Sequence, residues 1–302
     1  MKKTFYSNGK LLITGEYVVL DGAEAFALPT KYGQNLIVEK GSHHQIQWKS
    51  FDQDGTIWFE DTLSYESILH KEKSEHPIKN TLTEILYEAQ QLNPKFLTES
   101  EGYTITTALT FPKQWGLGTS STLINNIGEW LEIDAFQLLN NSFGGSGYDI
   151  ACAQTDAPIL YQLINGLPQV SPLVFNPNFS DHIYFLYLNR KQSSKAAIAA
   201  YYNKQSRLGT AVEDINKITS KITQATTLEE FAQLLYKHEV IMSNLLEMNT
   251  IKETLFPDFT GIIKSLGAWG GDFVMVVSKE SPADYFIKKG YPTLLSFKEM
   301  IL

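Results

Sequence analysis

Apolar residues recur along this chain in two rhythms. In Thr122–Leu131 they fall at Leu123, Ile124, Ile127, Trp130 and Leu131, and in Pro77–Leu92 at Ile78, Leu82, Ile85, Leu86 and Ala89. That is the spacing of a helix with one buried face. A glycine loop, Gly144-Gly145-Ser146-Gly147, leads into Tyr148–Gln154, and helical patterns are also read over Ala135–Asn141, Ser193–Tyr202, Leu208–Gln224 and Leu228–Glu247. Thr227 and Glu230 stand in capping-box positions before the last of these. A further helix is expected to start near Pro257 and end around Ser265. Alternation or short apolar runs predict strands at Lys10–Thr14, Tyr17–Leu20, Asn35–Lys40, Gln45–Lys49, Thr56–Glu60, Tyr103–Phe111, Pro158–Leu163, Ile183–Leu188 and Phe273–Ser278. Gly41-Ser42 and Asp52-Gln53-Asp54-Gly55 punctuate the early ones as turns.

The order is strand-rich first and helix-rich later. Asn165-Gly166-Leu167-Pro168, followed by Pro172 and Pro177, marks the expected boundary, dividing the chain into domains 1–167 and 168–302. A length of 302 residues fits about two domains. With 43% hydrophobic and 19% charged residues, the composition is that of a globular protein. The net charge of −8 argues against nucleic acid as the main partner, because a phosphate backbone calls for a basic footprint. The single cysteine, Cys152, allows no intrachain disulfide and reads as a buried small hydrophobe. No apolar run reaches bilayer length and no signal peptide is recognisable, so the expectation is a cytoplasmic protein without a membrane partner. The six histidines lack metal-ligand spacing, and His43-His44 is read as a solvated turn.

The densest chemistry lies in Gly116-Leu117-Gly118-Thr119-Ser120-Ser121, between a strand and a helix. Glycines allow a tight turn and close approach of an anion. The first helical amides lack internal partners and sit at the positive end of the helix dipole. This is either a phosphate cradle or a strand-to-helix turn with ordinary N-caps. A Walker-type Gly-x-x-x-x-Gly-Lys-[Ser/Thr] does not occur, and Ser121 stands where a dinucleotide fingerprint needs its third glycine.

Three other segments join this loop in a fixed order: Asn8-Gly9-Lys10-Leu11-Leu12-Ile13-Thr14-Gly15-Glu16-Tyr17, then Gly145-Ser146-Gly147-Tyr148-Asp149-Ile150-Ala151, and finally Lys264-Ser265-Leu266-Gly267-Ala268-Trp269-Gly270-Gly271-Asp272. Together the four resemble the motifs of the GHMP kinases, the superfamily of galactose, homoserine, mevalonate and phosphomevalonate kinases. Their style is nearest the phosphomevalonate kinase branch. The resemblance implies an α+β fold of two domains. The N-terminal domain would be like ribosomal protein S5 domain 2, and the C-terminal one ferredoxin-like with additional helices. ATP and a small-molecule acceptor would meet in the cleft between them, in a monomer or homodimer.

The resemblance also assigns roles. Gly116, Leu117, Gly118, Thr119, Ser120 and Ser121 would hold the ATP phosphates, with Ser120 a ligand of Mg²⁺. Asp149 would be the catalytic base, orienting the acceptor hydroxyl and taking its proton late, with Lys10 beside it offsetting negative charge. The alternatives are a helix-start aspartate and an exposed lysine. Ser146, Gly147, Gly267, Trp269, Gly270 and Gly271 would approach the substrate. Glu16 would line the cleft wall or occupy an exposed turn, and Lys191, Gln192, Ser193 and Ser194 would hold substrate or cap a helix. Two departures stand out. Ala135–Asn141 contains no Glu to supply the acidic Mg²⁺ ligand, leaving only Asp134, Gln137 and Asn140 nearby. Trp269 replaces a usual glycine, and would narrow the acceptor pocket, stack on a ligand, or mark a site that no longer turns over. The expected activity is phosphoryl transfer from ATP to phosphomevalonate or mevalonate. The competing readings are a catalytically weak ligand-binding or regulatory protein, and a diphosphomevalonate decarboxylase-like lyase.

Overall fold

The computed structural model describes residues 2–190, 198, 201–203, 208–269 and 271–302. They form two compact units, each discontinuous in sequence. The first comprises Met1–Gly9, Tyr32–Lys113 and Leu117–Gln154; the second comprises Lys10–Lys31, Gln114–Gly116 and Thr155–Leu302. Strands β1 (Lys3–Thr14) and β2 (Ala25–Lys40) therefore each begin in one unit and end in the other. A single cut at 167/168 does not describe this partition. Residues 10–31 bond to the C-terminal half instead: the Thr14 and Thr219 hydroxyls meet at 2.8 Å, and the Gly15 amide donates to His238 Nε2 at 3.0 Å.

In the first unit, the second half of β2 pairs antiparallel with β5 (Tyr103–Leu109). β5 runs parallel to β3 (Gln45–Phe51), which pairs antiparallel with β4 (Ile57–Ser64). Its helices are α1 (Tyr65–Leu69), α2 (Pro77–Leu92), α3 (Lys95–Thr98), α4 (Thr119–Leu131), α5 (Ala135–Ser142) and α6 (Tyr148–Ala153). Alternate strand residues Leu36, Val38, Ile46, Trp48 and Ile105 meet Leu82, Ile85 and Leu86 of α2 and Ile124 and Ile127 of α4 in one buried core. α2 spans the residues its periodicity predicts. It opens on Pro77, whose missing amide costs nothing there, and ends at Asn93, held extended before Pro94.

In the second unit, the start of β2 pairs with β6 (Ile159–Ile164), and β6 with β7 (Leu167–Pro172). Asn165 and Gly166, expected as a domain boundary, are instead a two-residue hairpin turn with φ of 52° and 76°. A separate antiparallel sheet has the order β11 (Leu294–Ser296), β8 (Ile183–Tyr187), β10 (Phe273–Val277), β9 (Ile262–Ser265). The helices are α7 (Ala211–Ile222), α8 (Leu228–Leu246), α9 (Ile251–Leu255), α10 (Ala283–Lys288) and α11 (Phe297–Met300). Leu186, Val274 and Val276 pack on Phe256, Phe259 and Phe286.

The class is α+β, as expected. Two local expectations are overturned. Tyr17–Leu20 is not a strand: Tyr17 adopts φ 61° and leads into a 3-10 turn over Val18–Asp21. The helix expected from Pro257 to Ser265 is absent, because α9 ends at Leu255 and Ile262–Ser265 is drawn into the sheet by pairing with β10. The helix read over Ser193–Tyr202 falls largely outside the described residues.

Candidate functional site

In the first unit the Gly118–Ser121 segment forms the start of α4. Gly118 is the N-cap, in the left-handed region at φ 101°, and no side chain caps the helix. The Thr122 amide bonds back to Gly118 O at 2.9 Å, and the amides of the turn before it have no partner within the helix. The hydroxyls divide by environment. Ser121 is buried and donates to Gly118 O at 2.9 Å, whereas Ser120 is exposed. Leu117 is fully buried, so it contributes backbone only.

α4 packs against α5 and α6. α6 also starts on an uncapped left-handed glycine, Gly147, with Asp149 in its first turn. Asp149 Oδ1 is buried and, among the described residues, meets no hydrogen-bond donor. A carboxylate oxygen in that state is poised for a donor, because an unmet buried acceptor costs about 1–3 kcal/mol. Ser146 and Gly147 precede it on the loop.

Lys10 and Gly116 belong to the second unit, so the boundary between units falls inside the glycine loop, before Leu117. Lys10 Nζ lies 3.5 Å from Gly116 O. Gly116, at φ 70°, also carries the Asp272 carboxylate on its α-carbon: a Cβ there would lie 2.4 Å from Asp272 Cγ. Only glycine satisfies both the torsion and the space. Asp272 was part of the C-terminal motif but had no predicted role. Its own backbone is tied at both ends, to Arg190 O and from the Leu188 amide, at 2.8 Å each.

Glu16 is neither on an exposed surface nor in a solvated turn. It is 1% exposed, and its Oε1 accepts from Lys264 Nζ at 2.6 Å. Lys264 Nζ lies 3.7 Å from Glu239 Oε2, and Glu239 accepts from the Ser265 hydroxyl at 2.7 Å and amide at 3.1 Å. His238 completes the cluster: Nε2 accepts the Gly15 amide and lies 3.3 Å from Glu16 Oε2. A lone pair on Nε2 repels an ionised Oε2. A proton on Glu16 relieves that repulsion, and burial raises the carboxyl to about 7 against the pull of Lys264. Burial raises Glu239 as well and holds His238 well below its ordinary value, so the imidazole is neutral. His238 and Glu239 continue the apolar face Phe231, Leu234, Leu235, Met242 of α8. Polar residues in phase with a buried stripe were the sequence signal for this cluster.

Trp269 is 2% exposed, packed with Tyr17, Tyr201, Ile215 and Met242. Its amide donates to the Tyr17 hydroxyl at 3.1 Å, and Tyr17 stacks on Tyr201 at 5.4 Å between centroids. The ring is thus part of a core that also holds Tyr17 in its positive-φ conformation, a strained state for an aromatic residue. Burial pushes the Tyr17 hydroxyl up to about 12. Gly267 sits at φ 60° with open space around it. Gly271 is buried, while Gly270, Lys191, Gln192, Ser193 and Ser194 lie outside the described residues.

A Mg²⁺ ion needs several oxygen ligands. Ser120 offers an exposed hydroxyl, but α5 carries no acidic side chain. Asp134 Oδ1 is engaged as the N-cap of α5, accepting from Phe136 N at 2.8 Å. Among the described residues no group of three or more His, Cys, Asp or Glu is placed to hold a metal. The described side chains alone do not supply a full ligand set.

No family model matches the sequence, and no curated protein matches it significantly. Solved structures do match. A Lactococcus lactis galactokinase complexed with galactose superposes with a TM-score of 0.71 at 13% identity, over 98% of this chain and 92% of that one. Streptococcus pneumoniae phosphomevalonate kinase, in complex with phosphomevalonate and AMPPNP, gives 0.69 at 15% identity, over 97% and 99%. The fold is that of the GHMP kinases. A mevalonate diphosphate decarboxylase from Legionella pneumophila shares the GHMP fold with a TM-score of 0.61 at 12% identity, over 98% and 100%. One fold therefore carries sugar phosphorylation, phosphomevalonate phosphorylation and decarboxylation, and the reaction must be argued from side chains.

Proposed function

We propose that this chain is an ATP-dependent small-molecule kinase, with phosphomevalonate or mevalonate as the favoured acceptor. The carrying observation is the pair of features on packed helices: the uncapped, hydroxyl-flanked start of α4 and the buried, unmet Oδ1 of Asp149 on α6. The α4 amides would hold the ATP phosphates, as helix N-termini hold anions. Asp149 would orient the acceptor oxygen and take its proton as the bond to phosphorus forms; Lys10 would offset the charge carried by the transferring group. Phosphoryl transfer depends mainly on such positioning. The acceptor preference rests on the phosphomevalonate-style motifs at Gly15-Glu16-Tyr17 and Gly145–Asp149. The test is ADP release with ATP and each of mevalonate, phosphomevalonate, galactose and homoserine. Stimulation by one acceptor, lost in Asp149→Ala, supports the reading. ADP formation accompanied by carbon dioxide from a diphosphorylated acid would make the chain a decarboxylase, and nucleotide binding with no stimulated turnover would make it a ligand-binding protein.

A further inference from the structure

Helix α4 buries a polar stripe on the side where its amphipathic pattern leads one to expect solvent. Thr122, Asn125 and Asn126 are all 0% exposed. They lie at i, i+3 and i+4, on one face. Each is met by a specific partner. The Thr122 hydroxyl lies 2.9 Å from Gln34 Oε1, and Asn126 Nδ2 donates to the Gln34 carbonyl at 2.9 Å, so one residue of β2 is gripped by both its side chain and its backbone. Ser7 of β1 donates to Asn126 Oδ1 at 2.9 Å and accepts from Asn125 Nδ2 at 3.0 Å. Asn125 Nδ2 also donates to Glu129 Oε1 at 3.0 Å, and its Oδ1 accepts from Gln154 Nε2 at 2.9 Å. Gln154 is the C-cap of α6, the helix that carries Asp149.

Apolar contacts tolerate sliding by a fraction of an ångström, but hydrogen bonds lose strength steeply with distance and angle. A fully satisfied buried network therefore selects one arrangement of the elements it joins. Here those elements are the Ser7 end of β1, the Gln34 half of β2, α4 and the end of α6, and these bonded segments all lie in the first unit. The helix whose first turn offers the anion-binding amides is thus fixed in register along β2, and the short helix bearing Asp149 is tied to its side.

Resting on the kinase reading, we infer that Asn125 and Asn126 are positioning residues: Asn126 sets where the start of α4 lies, and Asn125, through Gln154, holds α6 and Asp149 against it. Neither touches substrate. Gln154 is the informative position, because its side chain is exposed and its loss leaves the core intact, whereas changing a fully buried asparagine risks the fold. In Gln154→Met the chain length at this position is kept and the donor is lost.

The experiment compares wild type and Gln154→Met by amide hydrogen exchange, affinity for a non-hydrolysable ATP analogue, and steady-state turnover. Exchange at the α6 amides of residues 150–153 rises at least about tenfold, while the unfolding midpoint stays within about 2 °C. Analogue affinity stays within about twofold because the Thr122 and Asn126 bonds to Gln34 that place the start of α4 are kept, and kcat falls at least about tenfold because Asp149 is no longer held. A purely structural role would lower the midpoint without separating KM for ATP from kcat. Unchanged α6 exchange, or loosened α6 with unchanged kcat, overturns the positioning role alone. A wild-type protein that binds no adenine nucleotide overturns the kinase reading, and with it the functional half of the inference.

Discussion

Replacing Glu16 by Gln isolates one buried proton. In the folded chain the Glu16 carboxyl is raised from 4.5 to about 7, chiefly by desolvation. The native state therefore binds this proton more tightly than the unfolded chain does. Between about pH 4.5 and 7 the native state holds more protons, so the contribution of this group to stability is complete below 4.5 and is lost as pH rises through 7. A separation of about 2.5 units corresponds to about 3 kcal/mol. The neighbours act with their own signs. Raised Glu239 adds a loss in the same direction, while depressed His238 makes stability fall as pH drops below about 6.5. Lys264 Nζ faces both carboxylates. Subtracting wild type from Glu16→Gln cancels the neighbours to first order and leaves Glu16. Gln is the neutral mimic: its carbonyl accepts from Lys264, and its amide stands where the carboxyl proton faces His238. The variant should gain about 3 kcal/mol relative to wild type between about pH 4 and 8, a relative midpoint shift of about 5 °C in thermal unfolding. A difference between the two proteins that is flat across that range would refute the protonated Glu16.

Three other outcomes follow from the geometry. Gly116→Ala should destabilise by about 2 kcal/mol or more in denaturant unfolding, and adding Asp272→Ala should recover the steric part but not the torsional one. Trp269→Ala should cost about 3–5 kcal/mol by the same measurement, because it empties a buried core position; a stability change near zero would return Trp269 to the role of an exposed ligand contact. Asp149→Ala should leave the thermal midpoint within about 2 °C and lower acceptor-stimulated ADP release by about 10²–10⁴.

What could be read from the sequence was local. α2 is fixed by its own period, its leading proline and Asn93-Pro94, and the start of α4 by contiguous glycines and hydroxyls. The strand Ile262–Ser265 was misassigned because a four-residue apolar run has no period of its own, and its state is decided by β10. Asn165-Gly166 reads as a domain boundary because prolines follow it, and only the pairing of β6 with β7 makes it a hairpin turn. Glu16 could not be placed from its neighbours, since its partner Lys264 is 248 residues away. The Asn125-Asn126 pair falls on the polar side of α4 and carries no sequence signal of burial, because its partners Ser7 and Gln34 are brought near only by the fold.

The assignment of residues 10–31 to the second unit also has a consequence for biosynthesis. Leu11, Leu12, Ile13, Val18 and Val19 are all buried in the finished protein. In synthesis Glu16 precedes its partner Lys264 by 248 positions. At about 5–20 residues per second that interval is about 12–50 s. During it the first unit can gather most of its segments, while residues 10–31 wait for the rest of the second unit. This nascent stretch is where a chaperone would engage the growing chain, and where slow translation would expose it to aggregation.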